Sequence, residues 1–339
     1  MTCYSSVREI LDRMDLDRFK RWMWLRTLYL KWRLPVRFPL ILNIEPTNRC
    51  NLACSMCPRS ISGRPVTDID EKLFASLVEE LRREGPILKV FLQKDGEPLL
   101  HPKIAKMVEM LSDARAAKSI GIITNGTLLT DDMFADLAAA GLDDLIVSID
   151  AVDPAGYEKL KGANAYERVV ANVERAIALK REHHLTRPLI KTRMVARRGH
   201  EAEIEAFRQR WSGKADMIDI TPYHTWLGAV GDERCYASDG RYPCSLLWYT
   251  GIVNSDGQVS PCCIDYDCRG TIGRVGEGGF KAIWNGKALR ELRLKHLRGA
   301  YGETAICKNC EYWLIKEDIG AWLRRINRIS YTTNDGGGR

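Results

Sequence analysis

The sequence predicts an α/β protein whose parallel sheet curls into part of a barrel, and three observations support this fold class. Six short apolar runs alternate with stretches of helical periodicity along residues 40–222. Polar residues follow each run where the strand would end, and the first run leads into a loop with three cysteines. Strand–helix alternation produces parallel βα units joined by right-handed crossovers. Six units are fewer than the eight of a closed barrel, so we expect a (β/α)6 partial barrel.

Length and composition indicate a globular protein. The 339 residues allow a large core, and 45% hydrophobic and 28% charged residues are ordinary values for such a chain. The sequence shows no secretory signal, so we expect no export. It also has no uninterrupted apolar run of about 18 residues, so we expect no membrane span. Eleven cysteines then predict metal or redox chemistry in a reducing cytoplasm, not a disulfide framework.

The N-terminal 39 residues are predicted to form a helical segment with an uneven charge. Residues 18–37 hold seven basic and no acidic residues, together with three tryptophans. Contact with a membrane surface is one interpretation. We favour packing of the apolar stripe on the protein body. The whole excess of +7 lies in this segment, whereas a nucleic-acid interface would spread its basic residues over a larger face, so no nucleic-acid partner is expected.

The elements after residue 39 follow in regular order. Strands are predicted at 40–45, 87–92, 119–124, 144–149, 189–195 and 217–222, and helices at 70–83, 103–116, 131–140, 166–182 and 201–211. Barrels of this kind carry their chemistry at the carboxyl ends of the strands. We therefore expect the functional residues directly after each strand.

Cys50, Cys54 and Cys57 follow the first strand in the pattern Cys-x3-Cys-x2-Cys. Thiolates select zinc, copper(I) or iron–sulfur clusters. A structural zinc site needs four protein ligands, whereas three cysteines on a [4Fe–4S] cluster leave one iron open. The loop resembles the signature of the radical S-adenosylmethionine (SAM) enzymes. The resemblance implies that residues 40–228 form a radical SAM core and that SAM binds the open iron.

The same resemblance implies further SAM-binding residues at the strand ends. The matched positions are Gly96, Glu97, Pro98, Asn125, Ser148, Arg193 and Met56. The first three match a Gly-Gly-Glu-Pro strand end that contacts the SAM amino group, with Asp95 in place of the first glycine. Asn125 and Ser148 match ribose and carboxylate contacts, and Arg193 is a further carboxylate partner. Met56 stands where an aromatic residue often packs near adenine.

A second cysteine set lies in residues 229–328. A hairpin is predicted at 252–262 and a helix at 280–297, and four cysteines surround them: Cys244, Cys262, Cys307 and Cys310. Four thiols suit a second [4Fe–4S] cluster, and zinc would suit them too. The layout resembles the SPASM and shorter twitch domains of radical SAM enzymes, and its cysteine count favours one auxiliary cluster. Cys235, Cys263 and Cys268 are left without an assigned iron. A further helix is predicted at 311–328, followed by a disordered tail at 329–339.

Twitch-type relatives in aminoglycoside antibiotic pathways include dehydrogenases and epimerases of sugars and aminocyclitols. The resemblance therefore implies a SAM-derived 5′-deoxyadenosyl radical that takes hydrogen from a C–H bond of a hydroxylated small molecule. We expect oxidation of a secondary alcohol to a ketone, with the auxiliary cluster as electron acceptor and His224 as candidate base. One alternative is epimerisation with Cys263 as hydrogen donor. Peptide maturation is another, although 39 residues are few for a peptide-recognition domain. A flavodoxin or ferredoxin-type protein is the expected electron donor.

Overall fold

The computed structural model describes residues 36–197, 199–231, 243–276 and 278–313. The predicted N-terminal helical segment up to residue 35 lies outside these ranges, as do Cys3 and Cys235. The tail and all but the first three residues of the helix predicted at 311–328 also lie outside. Among the described residues, no helix is both long enough and apolar enough to cross a membrane.

Six parallel strands lie side by side in sequence order and confirm the predicted α/β fold. They are β1 Ile41–Ile44, β2 Lys89–Leu92, β3 Ile120–Thr124, β4 Asp144–Ser148, β5 Leu189–Ala196 and β6 Met217–Pro222. Each pairs in parallel with the next. Each therefore ends at the same edge of the sheet.

Helices follow the strands at the predicted places, with one addition. They are α1 Glu71–Glu84, α2 Ile104–Asp113, α3 Asp131–Ala139, α4 Pro154–Lys161, α5 Tyr166–Glu182 and α6 Glu201–Trp211. The sequence analysis did not predict α4. The local sequence nonetheless marks the start of this helix. Asp153 caps it, because its carboxylate accepts a hydrogen bond from the Gly156 N–H at 2.8 Å, and Pro154 occupies the first turn. Gly162 ends the helix with φ +69°.

The two faces of the sheet differ in character. Alternate side chains, such as Leu42, Ile44 and Val90, are fully buried against the helices. We call the opposite side the inner face. Its polar residues include Asn43, Lys89, Gln93, Asp144, Lys191, Arg193 and Asp219. Apolar side chains such as Phe91 and Ile146 lie among them. Eight-stranded barrels fill this space mostly with branched apolar side chains, so the inner face here is more hydrophilic than such an interior.

Gly121 on β3 allows charged residues to meet across the inner face. Lys89 and Lys191 both pair with Asp144, the latter at 2.5 Å. A Cβ atom on Gly121 would lie 2.8 Å from Phe91 Cε1 and 3.3 Å from Lys89 Cε. The absence of a side chain therefore leaves room for Lys89 to reach over β3 to Asp144.

The C-terminal part extends the same sheet. After the short α7 Leu246–Tyr249, β7 Thr250–Val253 pairs in parallel with β1. Strands β8 Gln258–Ser260 and β9 Gly273–Arg274 add to it in antiparallel fashion. The predicted hairpin is thus present, and its turn places Gly257 at φ +84°.

The prediction of a single helix at 280–297 is wrong. The structure has two helices there, α8 Gly279–Trp284 and α9 Lys287–Leu297. Gly286 interrupts them with an extended backbone, φ −71° and ψ 168°. A Cβ at Gly286 would lie only 3.0 Å from the Ile283 oxygen, which explains why glycine occupies the break.

Candidate active site

The loop of Cys50–Cys57, called the cysteine loop below, is held by the end of α4. The Ser55 N–H donates to the Leu160 carbonyl at 2.8 Å. A Cβ on Gly162 would lie 2.9 Å from the Ala53 oxygen, so the loop packs directly on this glycine. The unpredicted helix is therefore part of the scaffold that shapes the loop.

Two side chains from outside α4 also hold the backbone of the cysteine loop. The Trp226 indole Nε1 donates to the Met56 carbonyl at 3.0 Å. The Arg59 guanidinium donates to the Cys50 carbonyl at 3.3 Å. Met56 thus lies beside a tryptophan that follows β6, and its own contact with SAM stays a prediction.

The three thiols are partly buried near a buried ammonium group. Burial raises the pKa of Cys50 and Cys54, and raises that of Cys57 to about 11. The positive charge of Lys161 acts in the opposite direction on Cys54. Burial disfavours charged Lys161, but Asp150 and Cys54 outweigh this and raise its pKa, so it stays an ammonium. Such a charge would offset the negative charge of thiolate ligands.

Lys161 is a candidate functional residue that the sequence analysis missed. Its Nζ donates to the Ser148 carbonyl at 3.1 Å and pairs with Asp150 at 2.5 Å. Ser148, predicted to contact the SAM carboxylate, therefore lies next to a cation that suits a carboxylate. The sequence did contain a signal for this position, because Lys161 is the last residue of a helix that begins with an Asp-Pro pair.

Glu97 joins the ends of β2 and β3. Its carboxylate accepts hydrogen bonds from Leu99 N–H at 3.0 Å, Thr124 Oγ1 at 2.6 Å and Asn125 N–H at 2.7 Å. Burial raises the pKa of Glu97. Both oxygens are thus engaged by protein donors, so the carboxylate at least fixes the position of Asn125. The predicted contact of Gly96, Glu97 and Pro98 with SAM stays a prediction.

Gly96 lies directly against the segment before Cys50. A Cβ there would lie 2.1 Å from the Thr47 oxygen and 2.7 Å from the Arg49 oxygen. The next residue also donates its N–H to the Arg49 carbonyl at 2.7 Å. No larger residue fits this approach, which seats the end of β2 on the cysteine loop.

Asn125 is tied to the cysteine loop by a closed set of hydrogen bonds. Its Nδ2 donates to Asn51 Oδ1 at 2.9 Å, and its Oδ1 accepts from the Thr127 N–H at 2.9 Å. Asn51 Nδ2 in turn donates to Thr127 Oγ1 at 2.8 Å. The third strand end is therefore brought to the loop, as predicted from the strand order.

Arg193 lies on the inner face in contact with the neighbouring strand. Its Nε and Nη2 lie 2.8 and 2.6 Å from Asp219 Oδ2. The guanidinium thus already has a carboxylate partner on β6. Its assignment to the SAM carboxylate stays a prediction.

A buried ion network of Glu45, Arg64, Lys94 and Asp95 was not anticipated. Arg64 Nη1 lies 3.2 Å from Glu45 Oε1 and 2.9 Å from Asp95 Oδ2, and Lys94 Nζ lies 3.0 Å from Asp95 Oδ2. Burial alone would raise the pKa of Glu45, but Arg64 and Lys94 hold it below its usual value. Burial, reinforced by Glu45, raises the pKa of Asp95 to about 6 despite Lys94.

This network connects the segments on either side of the cysteine loop, which carry Glu45 and Arg64, with the C-terminal hairpin. The N–H and hydroxyl of Ser255 each donate to Glu45 Oε2 at 3.0 Å. Lys94 Nζ donates to the Asp265 carbonyl at 3.1 Å. The second cysteine set is therefore held in a defined position relative to the first.

The second set, called the auxiliary cysteine group below, consists of Cys244, Cys262, Cys307 and Cys310. The pKa of Cys262 is raised, first by a hydrogen bond with Cys263 and next by burial. The nearby Cys244 and Cys310 raise it further. The Cys310 N–H donates to the Cys307 carbonyl at 3.2 Å, which closes the Cys-x2-Cys turn. Four cysteines distant in sequence thus approach one another.

The donor types at both sites fit iron–sulfur clusters, whose cysteine ligands each bind a separate iron. None of the nine cysteines that the structure describes is in a disulfide. Within the described ranges, no three His, Cys, Asp or Glu side chains converge as the ligands of a single metal ion would.

Cys263 and Cys268 occupy different environments. Cys263 hydrogen-bonds with Cys262 and with Tyr312, beside the auxiliary cysteine group. The Ser260 hydroxyl lies 3.8 Å from Cys268 Sγ, and Lys94 and Arg64 lie near this thiol. Cys268 is therefore the one of these two cysteines next to the buried ion network.

His224 lies in an aromatic surround after β6. Its ring contacts Trp226 and Tyr312 edge-on, with centroids 4.4 and 5.2 Å away. Burial lowers the pKa of His224 to about 4, so the ring is neutral at physiological pH. Among the described residues, its Nδ1 has no hydrogen-bond partner.

Comparison with protein families agrees with this arrangement. The Radical SAM superfamily is matched over residues 44–207, and the SPASM iron–sulfur cluster-binding domain over residues 244–311. The first match contains the cysteine loop, and the second contains the auxiliary cysteine group.

Curated relatives belong to more than one class. The chain is 24% identical over 272 residues to the S-adenosyl-L-methionine-dependent 2-deoxy-scyllo-inosamine dehydrogenase of Niallia circulans, covering 80% of this chain and 92% of that protein. It is 24% identical over 313 residues to mycofactocin maturase MftC of Mycobacterium tuberculosis, covering 80% and 77%. It is 34% identical over 114 residues to the tungsten-containing aldehyde ferredoxin oxidoreductase cofactor-modifying protein of Pyrococcus furiosus. That alignment covers only 34% of this chain and 32% of the Pyrococcus protein.

Solved structures share the fold at low sequence identity. SuiB of Streptococcus suis superposes with a TM-score of 0.64 at 16% identity, covering 91% of this chain and 83% of that one. BtrN in complex with AdoMet and 2-DOIA superposes with a TM-score of 0.55 at 20% identity, covering 81% and 93%. Both agree with a partial barrel followed by a C-terminal iron–sulfur domain.

Proposed function

The chain belongs to the radical SAM superfamily and carries a C-terminal SPASM-type domain, and on this premise we propose that it oxidises a hydroxylated small molecule. The substrate class would be a sugar or aminocyclitol whose secondary alcohol becomes a ketone. The cysteine loop would hold one [4Fe–4S] cluster and SAM, and the auxiliary cysteine group would hold a second cluster. A flavodoxin or ferredoxin-type protein would supply electrons.

The cofactors bring the difficult chemistry: reductive cleavage of SAM provides a radical that removes a hydrogen atom, and the auxiliary cluster provides an electron acceptor. The task of the chain is then to place the substrate, exclude water and accept a proton. Oxidation of a carbinol to a ketone removes one hydrogen atom, one proton and one electron, so a base near the hydroxyl is required.

The hydrophilic inner face of the sheet is the observation that carries the proposal. Asn43 lies on β1 and Gln93 directly follows β2, and the Gln93 amide donates to Asn43 Oδ1 at 2.6 Å, which leaves the Asn43 amide hydrogens and the Gln93 oxygen for other partners. The pair of Arg193 and Asp219 lies on β5 and β6 of the same sheet. Such groups suit the hydroxyl and amino groups of a polar ligand better than an apolar side chain. The dehydrogenase relative, which aligns over 92% of its length, supports the same substrate class.

His224 is suited to accept the proton in chemical type and position. It follows β6, on the edge of the sheet that carries the cysteine loop, and its Nδ1 has no hydrogen-bond partner among the described residues. Burial lowers the pKa of the ring to about 4, so it is a weak base whose neutral Nδ1 can accept a hydrogen bond from a substrate hydroxyl. Trp226 lies between His224 and the cysteine loop, because its ring contacts His224 while its Nε1 donates to the Met56 carbonyl. We therefore propose His224 as the base.

Epimerisation and peptide maturation are the competing proposals. Epimerisation needs a thiol that returns a hydrogen atom, and Cys263 was chosen for this from the sequence. Its contacts with Cys262 and Tyr312 place it beside the auxiliary cysteine group. Peptide maturation is favoured by the alignment with mycofactocin maturase over 77% of that protein.

The test follows product and isotope together. The reconstituted enzyme is incubated in D2O with SAM, a reductant and a panel of aminocyclitols and sugars, in parallel with Cys263→Ala and, as a matched control, Cys268→Ala. Oxidation predicts 5′-deoxyadenosine and a ketone whose oxidised carbon carries no deuterium, formed by both variants. A stereo-inverted product that gains one deuterium and disappears only in Cys263→Ala would establish epimerisation instead. Turnover of a precursor peptide but of no small molecule would also refute oxidation.

A further inference from the structure

His296 lies where one side chain can reach two members of the auxiliary cysteine group. It belongs to the buried face of α9, together with Leu289, Leu292 and Arg293 at helical spacing. Its side chain is buried, at 1% exposure, and Tyr301 packs edge-on against the ring at 5.1 Å. No role was assigned to this histidine from the sequence.

The two ring nitrogens of His296 have different hydrogen-bond roles. The Cys244 backbone N–H lies 3.2 Å from Nδ1, and because a backbone N–H can only donate, Nδ1 must be an acceptor. The ring hydrogen is then on Nε2, which lies 3.2 Å from Cys307 Sγ. The geometry thus sets Nε2–H to donate to the sulfur of Cys307.

We propose that His296 is a positioning residue of the auxiliary cluster, which fixes Cys244 and Cys307 together and raises the reduction potential through its bond to Cys307. The inference rests on the proposed function, because it requires an iron–sulfur cluster at the auxiliary cysteine group. Hydrogen bonds to ligand sulfurs stabilise the extra negative charge of the reduced cluster and so favour reduction. A higher potential suits a cluster that accepts an electron from a substrate radical.

The surroundings of His296 keep this donor in place. One turn earlier in α9, the Arg293 Nε donates to the Leu247 carbonyl at 2.9 Å, which ties the helix to the segment that follows Cys244. The Arg293 guanidinium also lies over the Trp284 ring at 4.5 Å. The ring of His296 is thus anchored through its helix as well as through its own bonds.

The test measures the auxiliary cluster alone. In a full-length background with Cys50, Cys54 and Cys57 replaced by alanine, the remaining cluster is titrated anaerobically and followed by electron paramagnetic resonance. We expect His296→Leu to disfavour reduction about tenfold, which is about 59 mV for one electron. His296→Gln keeps an acceptor and a donor on one side chain, so it should recover most of the shift. In protein labelled with 15N-histidine, the reduced cluster should also show a histidine nitrogen coupling.

His101→Leu is the matched control. His101 is also buried and also accepts a backbone N–H, from Lys103 at 3.2 Å, but it follows β2 and is not among the residues that hold the auxiliary cysteine group. Its loss should leave the potential unchanged. Equal potentials in the parent, His296→Leu and His296→Gln, or no histidine coupling in the labelled parent, would overturn the inference. If the parent background binds no cluster at all, the auxiliary cluster of the proposed function is refuted, and this inference with it.

Discussion

Removal of the Arg64 guanidinium should loosen the hairpin from the segments that flank the cysteine loop. In Arg64→Met, the Glu45 carboxylate keeps its burial but loses one of the two cations that lower its pKa, and the one that hydrogen-bonds to it. The side chains of Arg64 and Glu45 are only 6% and 0% exposed. Water therefore cannot replace the lost partner, and breaking such a buried pair costs about 3–5 kcal/mol.

The Ser255 amide reports this cost directly, because it donates to Glu45 at 3.0 Å. Native-state hydrogen exchange measures the free energy of local opening, and every 1.4 kcal/mol is about a tenfold change. A cost of about 3 kcal/mol therefore predicts about 100-fold faster exchange at Ser255 in Arg64→Met. The measurement is made on the reconstituted protein under anaerobic conditions, by mass spectrometry of peptides from residues 250–260.

An exposed pair provides the control. Arg49 and Asp68 are 44% and 34% exposed, so Arg49→Met should cost no more than about 1 kcal/mol. The double variant Glu45→Gln/Arg64→Met should recover part of the protection, because no unpaired charge is left buried. The reasoning is wrong if Arg64→Met exchanges no faster at Ser255 than Arg49→Met does.

Further outcomes follow from the same structure. Wild-type protein should bind about eight iron atoms. Replacement of all three cysteines of the cysteine loop by alanine should halve the iron content and abolish SAM cleavage. Zinc in the remaining site would contradict the proposal. Glu97→Ala should weaken SAM binding in calorimetry because Asn125 loses its anchor, and unchanged affinity would exclude that role. Burial raises the pKa of Asp95 to about 6, so the stability of wild type relative to Asp95→Asn should fall as pH rises from about 4 to 6; denaturation midpoints of both proteins over this range decide it. Because burial lowers the pKa of His224 to about 4, the pH–rate profile should show no ionisation of His224 near pH 6.5. Salt-sensitive sedimentation with anionic liposomes would show that residues 18–37 bind membranes.

The fold was predictable because its signals are local. Each of the six strands begins and ends within two residues of its predicted bounds, since an apolar run bounded by polar residues marks a buried strand in the sequence itself. The cysteine spacing indicated the first site in the same way. The order of the strands then placed Glu97 and Asn125 beside the cysteine loop without any knowledge of the contacts.

The residues that were missed interact over long sequence separations. Arg64 meets Glu45 and Asp95, which are 19 and 31 residues away, and Ser255 meets Glu45 across 210 residues. No periodicity marks such partners. His296 is 11 residues from Cys307, and the break at Gly286 separates its helix α9 from α8. A histidine within a helical pattern gives no indication that its ring bridges two cysteine segments.

Strand β1 has a double role that constrains how the two cysteine sites work together. It leads into the cysteine loop, and it is also the parallel partner of β7, with Ile44 opposite Val253. A slip of one residue would move Glu45 away from Ser255 and exchange the faces of the strand, so the ladder and the buried ion network enforce one register. We therefore expect the separation of the two sites to be fixed by the sheet and not by substrate binding. A fixed separation between the two cysteine sites suits an auxiliary cluster that accepts an electron. The timing of electron transfer then depends on formation of the substrate radical and not on a movement of the C-terminal part.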